Sequence, residues 1–162
     1  MAVIAVGVAA ADKNGFTTGK TYLNSAAANL TGKLTQIQVW MHEATTDLTV
    51  GVYYLTGTLK WKCRASQLIG VVSAGSVQTK NVDLDIVAGD KIGCYLTTGS
   101  IDRAEGAGTG AYRNNSELKD AGDEGTFYDD PTYDIALYGI GATPALGPPA
   151  SMAAVMGALG VL

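Results

Sequence analysis

Charged residues are scarce in this chain of 162 residues, since Lys, Arg, Asp and Glu make up only 16% of it. The formal net charge is −4. A nucleic-acid groove needs clustered Lys and Arg to displace counterions from phosphates, so this composition argues against DNA or RNA as a partner. A weakly charged surface is unusual for a protein that stays a free monomer, and it favours a subunit that packs against neighbours.

Residues that commonly carry catalysis or bind metals are also few, with two cysteines and one histidine. These are too few ligands for a structural zinc site. His42 is the sole candidate base for a Ser-His-Asp or Cys-His arrangement, and no nucleophile lies near it in the sequence. No phosphate-binding loop is present, because the glycines of residues 106–110 precede no helical pattern. The sequence therefore predicts a protein that is not an enzyme, with no cofactor and no metal.

The two cysteines fall on inward-facing positions of predicted strands. Cys63 and Cys94 are therefore expected to be buried free thiols that act as small apolar side chains. Spacing alone leaves a disulfide between them open.

Membrane-associated segments are not expected either. The apolar start, residues 1–11, lacks the positive region of a signal peptide, since the first basic residue is Lys13. The apolar run 150–162 is too short to span a bilayer.

Glycine is abundant instead, with 21 residues against four prolines, which indicates many turns rather than disorder. Between the glycines, apolar and polar residues alternate as in half-buried strands. The clearest stretch is 82–96, in which a slip of one residue would bury two aspartates. Strands are predicted at 21–23, 34–42, 48–55, 58–64, 68–74, 77–86, 91–96 and 133–139. The second and third of these are expected to pair as a hairpin.

Two charged segments have alternative interpretations. The cations at 60, 62 and 64 favour a solvated edge strand, and a patch for an acidic partner is the alternative. Residues 97–130 are predicted to be a long loop of the kind that carries function or covers something. Its second half is acidic, and carboxylates are ligands that bind Ca²⁺. Because the EF-hand spacing is absent, a solvated loop is favoured over a calcium site.

Short strands separated by glycine turns predict an all-β protein, an antiparallel β-sandwich of the jelly-roll type. The segment 87–95, Val-Ala-Gly-Asp-Lys-Ile-Gly-Cys-Tyr, resembles a turn common in jelly-roll domains, including tumour-necrosis-factor-like heads. The wider run from this turn to Asp134–Gly141 resembles small proteins of tailed bacteriophages that serve as head decoration or fibre-associated domains. The similarity covers residues 34–141.

We expect three parts: an N-terminal arm over 1–20, whose residues 2–11 could form an edge strand, the jelly roll over 21–142, and a proline-containing linker with an apolar C-terminal tail over 143–162. The tail has the spacing of a short amphipathic helix, which needs a surface to lie on. Docking on another subunit is favoured over folding back. The side chains expected to contact other proteins are Val3, Ile4, Val6, Trp40, Met152, Val155, Met156, Leu159 and Leu162.

The resemblance implies a structural virion protein, a capsid decoration or cementing subunit that is made in the host cytoplasm and carried on the capsid surface. Its partners would be its own copies, as a trimer or a dimer, and the major capsid protein or other virion subunits. A bound clamp would stabilise the assembled shell by mass action. The alternative is a tail-fibre or lectin-like module whose 97–130 segment recognises a glycan or a surface receptor. A third hypothesis is a hydrolase on the same sandwich, which would depend on Asp129 or Asp130.

Overall fold

The computed structural model describes residues 1–145, and all regular structure in this range is β. The predicted interface residues Met152, Val155, Met156, Leu159 and Leu162 lie outside the described residues. In chain order the strands are β1 Val3–Gly7, β2 Gly15–Thr17, β3 Thr21–Asn24, β4 Gly32–Glu43, β5 Thr45–Gly57, β6 Lys60–Val72, β7 Val77–Ile86, β8 Lys91–Tyr95, β9 Ser100–Ala104, β10 Ala111–Asn114, β11 Glu124–Thr126, β12 Tyr128–Asp130, β13 Asp134–Ile135 and β14 Leu137–Ala142.

Eight of these strands form nested antiparallel pairs, as in a long hairpin rolled upon itself. β1 pairs with β14, β3 with β8, β4 with β7, and β5 with β6. Rolling places β1-β14-β4-β7 in one sheet, here called sheet I, and β3-β8-β5-β6 in the other, sheet II. This strand order is that of a jelly roll, so the predicted fold class is confirmed.

The core lies between the two sheets and follows the alternation of the sequence. In the 82–96 stretch, every apolar residue assigned to the inward face is buried: Val82, Leu84, Ile86, Ile92, Cys94 and Leu96. β7 and β8 lie in opposite sheets, so the turn between them carries the chain across the sandwich. Asp90 stabilises this turn by accepting hydrogen bonds from the Val87 amide at 2.9 Å and from Arg64 Nε at 2.6 Å.

The first half of the expected N-terminal arm contains β1, which is an edge strand of the jelly roll, as its composition allowed. Ile4 and Val6 are buried in the protein's own core and are therefore not available to a partner. A Cβ at Gly32 would come within 2.7 Å of Ile4 Cδ1, and one at Gly139 within 2.8 Å of Val6 Cγ1. The two apolar side chains thus fill the space that these glycines leave.

Two strand assignments also differ from the sequence-based prediction. β4 and β5 do not pair, since the chain leaves sheet I at Glu43 and enters sheet II at Thr45. The polar residues between them form a corner instead of a hairpin turn. The predicted strands 58–64 and 68–74 are one strand, β6, because β5 pairs with it through the polar residues Ser66 and Gln67 as well.

The segment predicted as a loop, 97–130, contains four strands, β9 to β12. β10 and β12 extend sheet II beyond β3, and β11 extends its opposite edge beyond β6. Phe127 alone separates β11 from β12 in the chain, so sheet II curls until its two edges meet. The curled sheet encloses a second apolar cluster, consisting of Leu23, Tyr53, Trp61, Cys63 and Phe127 with Tyr112 and Leu118 packed against it.

Candidate interaction surface

The outer face of sheet I is a surface formed by four neighbouring strands. Residues opposite one another in an antiparallel pair share a face, so the pairing defines which side chains point away from the core. The outward residues of the four jelly-roll strands are here called the sheet I face. They are Val3 and Ala5 of β1, Tyr138, Ile140 and Ala142 of β14, Lys33, Gln36, Gln38 and Trp40 of β4, and Val77, Thr79, Asn81, Asp83 and Asp85 of β7.

Every residue of the sheet I face is half-buried or exposed. Val3 is 65% exposed and Val77 is 44% exposed. Every described strand belongs to sheet I or to sheet II, and sheet II lies on the core side, so no described strand crosses this face. The charged residues of the face form one cluster at one end, where Lys33 Nζ lies 2.7 Å from Asp83 and 3.2 Å from Asp85.

The two predicted contact residues of the described chain that remain accessible, Val3 and Trp40, both belong to the sheet I face. Trp40 is half-buried and lies opposite Val77 in the β4–β7 pair. Val3 lies opposite Ala142, at the other side of the face. The alternation within β1 explains why Val3 points outward while Ile4 points into the core.

The edges of sheet I are less open to a partner than its face. At β1, Asn29 accepts a hydrogen bond from the Ala5 amide at 2.8 Å and donates one to the Val3 carbonyl at 3.1 Å. At β7, Gln67 accepts a hydrogen bond from the Asp83 amide at 2.9 Å. Side chains therefore occupy backbone groups that an added strand would need.

A histidine–carboxylate contact lies beside this face, and spacing in the sequence could not reveal it. His42 Nδ1 is 3.2 Å from Asp102 Oδ1, and the imidazole stacks on Phe16 with ring centroids 4.5 Å apart. Pairing of β4 with β9 brings the two residues together. Burial raises the pKa of the Asp102 carboxyl, and the neighbouring Asp12 adds to this, while the Lys13 amide and His42 oppose it.

The surroundings of this contact are those of a structural ion-pair cluster. The Lys13 amide donates to Asp102 at 3.0 Å, and Lys13 Nζ lies 2.9 Å from the buried Asp134. Among the contacts of the described residues, none brings a hydroxyl or thiol to the His42 ring, so the arrangement lacks the nucleophile of a triad.

Three of the acidic residues of the 120–130 segment contact other residues of the chain through their carboxylates. Glu124 lies 2.9 Å from Lys60 Nζ, and Asp130 accepts a hydrogen bond from Arg113 Nε at 2.9 Å. Asp123 accepts one from the Asp120 amide at 3.0 Å. Within residues 1–145, no group of three His, Cys, Asp or Glu side chains is arranged to hold a metal ion.

Both cysteines are buried and free, as predicted. Burial raises the pKa of Cys63 to about 11 and that of Cys94 to about 12. Because the thiolate is the reactive form, both thiols are unreactive at neutral pH.

An apolar groove of about 490 Å³ lies at the end of β4, β7 and β14, where Gly32, Ile86, Val87, Ala142 and Pro144 line it. Lys33 and Asp85 stand at its rim and belong to the charged cluster described above. Residues 1–145 contain no helix that is long and apolar enough to cross a membrane.

No family model matches this chain, and neither curated proteins nor solved structures give a match. Any assignment of function therefore depends on the surface itself and on the resemblance noted in the sequence.

Proposed function

We propose that this chain is a structural assembly protein, and that its class is the capsid decoration or cementing subunit of a bacteriophage. The observation that supports assembly is the sheet I face, a sheet surface that is charged at one end only, that carries Val3 and Trp40 and that no described strand crosses. The phage class is supported by the resemblance of residues 34–141.

The mechanism is stabilisation by binding. A subunit that binds the assembled shell and not its free components lowers the free energy of the shell by about 2.7 kcal/mol per site when its concentration is 100 times its dissociation constant. This role needs a rigid scaffold and a contact surface, and it needs no reactive group. The nested strand pairs of the jelly roll provide the scaffold.

The alternative, a glycan- or receptor-binding module that uses residues 97–130, has less support. Three carboxylates of its second half, those of Asp123, Glu124 and Asp130, make ion pairs or hydrogen bonds within the chain. The segment also contains four strands that pair within the two sheets.

The test is whether the chain is a regular component of virus-sized particles. Particles are purified on a density gradient from the cells that produce the chain, and bound chain is quantified by mass spectrometry and located by cryo-electron microscopy. Copies at symmetry-related positions on a shell support the proposal. A chain found only in the soluble fraction contradicts it, and binding to a glycan array in that case favours the alternative.

Trp40 and Leu55 offer a matched pair of variants for the same experiment. Trp40→Ala removes an aromatic side chain from the sheet I face, and we expect it to lower occupancy on the particle by about ten-fold or more, as for an interface hot spot. Leu55 is 56% exposed on β5 of sheet II, and Leu55→Ala is expected to leave occupancy unchanged. Equal loss in both variants would show that the sheet I face is not the assembly surface.

A further inference from the structure

We propose that the occupant of the sheet I face is a second copy of this chain, packed face to face about a two-fold axis. This inference depends on the proposed function only in taking the face as an assembly surface. To the proposed function it adds the identity of the partner, a second copy of the chain, and the symmetry of the contact, a two-fold axis.

Charge is the first argument for a second copy. A two-fold contact places a surface patch against itself, so a patch of one sign would repel its own copy. The charged residues of the sheet I face, the cation Lys33 and the two carboxylates Asp83 and Asp85, pair with one another at one end and sum to a charge of −1, whereas the whole chain carries a net charge of −4. Two acidic subunits can therefore approach through this face with little repulsion.

The shape of the face is the second argument. Two sheets pack well at a separation of about 10 Å when their outward side chains interdigitate. The face is formed by neighbouring antiparallel strands, with β14 and β4 in its centre and a register shift at one end of each pairing of β4, between Ile140 and Gly141 and between Leu34 and Gln36. A three-fold ring would need two different complementary patches, and one face that is uncharged over most of its length fits a two-fold axis better.

The closed edges are the third argument. Because Asn29 and Gln67 occupy backbone groups at β1 and β7, edge-to-edge pairing of two subunits is disfavoured. Contact through side chains on the face remains accessible.

The size of the face sets the expected affinity. Four strands about 4.8 Å apart and about 26 Å long along β4 give a patch of roughly 500 Å² per subunit. Two such patches bury on the order of 1,000 Å², the lower limit for a specific interface. We therefore expect a reversible dimer with a dissociation constant of about 1–100 μM rather than an obligate one.

A two-fold dimer would also explain how a small subunit could bridge neighbours in a shell. Each dimer presents two identical sets of remaining surfaces, and the second contact becomes intramolecular after the first has formed. Bivalent binding could then be tight even if each contact is weak.

The experiment is sedimentation equilibrium of the full chain over about 1–300 μM, a range chosen to span the expected constant. The wild-type protein should shift from the monomer mass of 16.7 kDa to twice that mass as concentration rises. A chain that stays monomeric throughout, or that forms a trimer, would overturn the inference.

Gln38→Lys tests the face directly. Gln38 is half-buried in the centre of the face, opposite Thr79 on one side and Tyr138 on the other. At low salt, placing a cation there in both subunits should weaken the dimer at least about ten-fold. Thr79→Lys, at an exposed position, should have the same effect if Gln38→Lys fails to fold.

Leu68→Lys is the matched control. Leu68 is 68% exposed and lies on β6 of sheet II, so this variant adds the same charge and removes a larger apolar side chain outside the face. Its dissociation constant should stay within about two-fold of the wild-type value. Equal weakening by Leu68→Lys would contradict the assignment of the surface.

Charge reversal distinguishes contact from general destabilisation. A mixture of Gln38→Lys and Gln38→Glu chains should form a mixed dimer in preference to either homodimer, which a folding defect would not produce. No preference for the mixed dimer would contradict the face-to-face arrangement.

The other candidate occupant of the sheet I face is the segment 146–162 of the same chain. A variant shortened to end at Ala145 tests it. If the full chain is monomeric and the shortened chain dimerises, residues 146–162 cover the face, and the inference is wrong. The outcomes also separate the two proposals. A dimer that is never found on particles contradicts the proposed function alone, while a monomer that occupies particles contradicts the dimer alone.

Discussion

Replacing Ile4 by alanine tests whether β1 is part of the folded core or an arm that other subunits could bind. The Ile4 side chain is fully buried between the sheets, and its Cδ1 fills the space above Gly32. Removing three carbon groups loses about 2.4 kcal/mol of transfer free energy. The sheet backbones on both sides cannot close the gap completely, so a cavity term raises the expected destabilisation to about 3–4 kcal/mol.

The adjacent residue is the control, because Val3 lies on the same strand with its side chain outward and 65% exposed. Val3→Ala should change the free energy of unfolding by less than about 0.5 kcal/mol. Both variants are compared by urea unfolding followed by tryptophan fluorescence, at protein concentrations of about 1 μM, at or below the expected dissociation constant of the dimer. By calorimetry, Ile4→Ala should lower the melting temperature by roughly 10 °C.

Equal and small effects of Ile4→Ala and Val3→Ala would refute this reasoning, since they would mean that β1 is not docked against β14 in solution. The same result would restore the arm that the sequence alone predicts. A large effect of Val3→Ala at low concentration would contradict the outward assignment of its side chain.

Three further predictions concern polar side chains that join distant parts of the fold. Partial burial opposes the charge of Asp47, but hydrogen bonds from Thr97 and Thr98 outweigh it and lower the pKa of its carboxyl. Asp47→Asn should therefore cost about 1 kcal/mol at pH 7, a value reduced for solvent screening, and chemical denaturation should show the loss. Because the pKa of Asp47 is lower in the native state, its contribution to stability is present above the unfolded pKa of about 3.9 and is lost as pH falls towards the native pKa. The curves of unfolding free energy against pH for the wild type and Asp47→Asn should therefore converge below about pH 4. Parallel curves would contradict this. Asp90→Ala removes the carboxylate that accepts hydrogen bonds from Arg64 and from the Val87 amide. In urea titrations it should lower the free energy of unfolding by about 2 kcal/mol. A loss under about 0.5 kcal/mol would show that the turn does not need this carboxylate. Asn24 is fully buried in β3, where its side chain accepts a hydrogen bond from the Ile135 amide at 2.8 Å and donates to the Ile135 and Leu137 carbonyls at 3.0 Å. Asn24→Leu should therefore lower the free energy of unfolding by about 3 kcal/mol and speed hydrogen exchange at the Ile135 amide. Unchanged exchange would show that Asn24 does not link the sheets.

The proposed function combines two arguments of different origin, the resemblance to phage proteins for its class and the sheet I face for assembly. The resemblance depends on the 87–95 turn and the strand that ends the jelly roll. The face depends on strand pairing that brings Val3, Trp40 and Val77 to one surface. Only the particle experiment connects the two.

The alternation of apolar and polar residues was enough to predict which side chains of β7 and β8 face the core, because a strand with one buried face admits a single register. It was also enough to predict an antiparallel sandwich, and it placed both cysteines inward. These are local properties, and each can be seen within about ten residues.

The tertiary structure alone decided which strands pair and where each surface ends. β1 pairs with β14 across almost the whole chain, and nothing in a run of small apolar residues distinguishes a strand in a sheet from an arm. The short strands β10 to β12 have little alternation of their own, and they form because the edges of sheet II and the side chains of Leu23 and Trp61 offer them partners. The sheet I face and the His42–Asp102 contact arise in the same way, from pairings between residues distant in sequence, which a periodic pattern cannot specify.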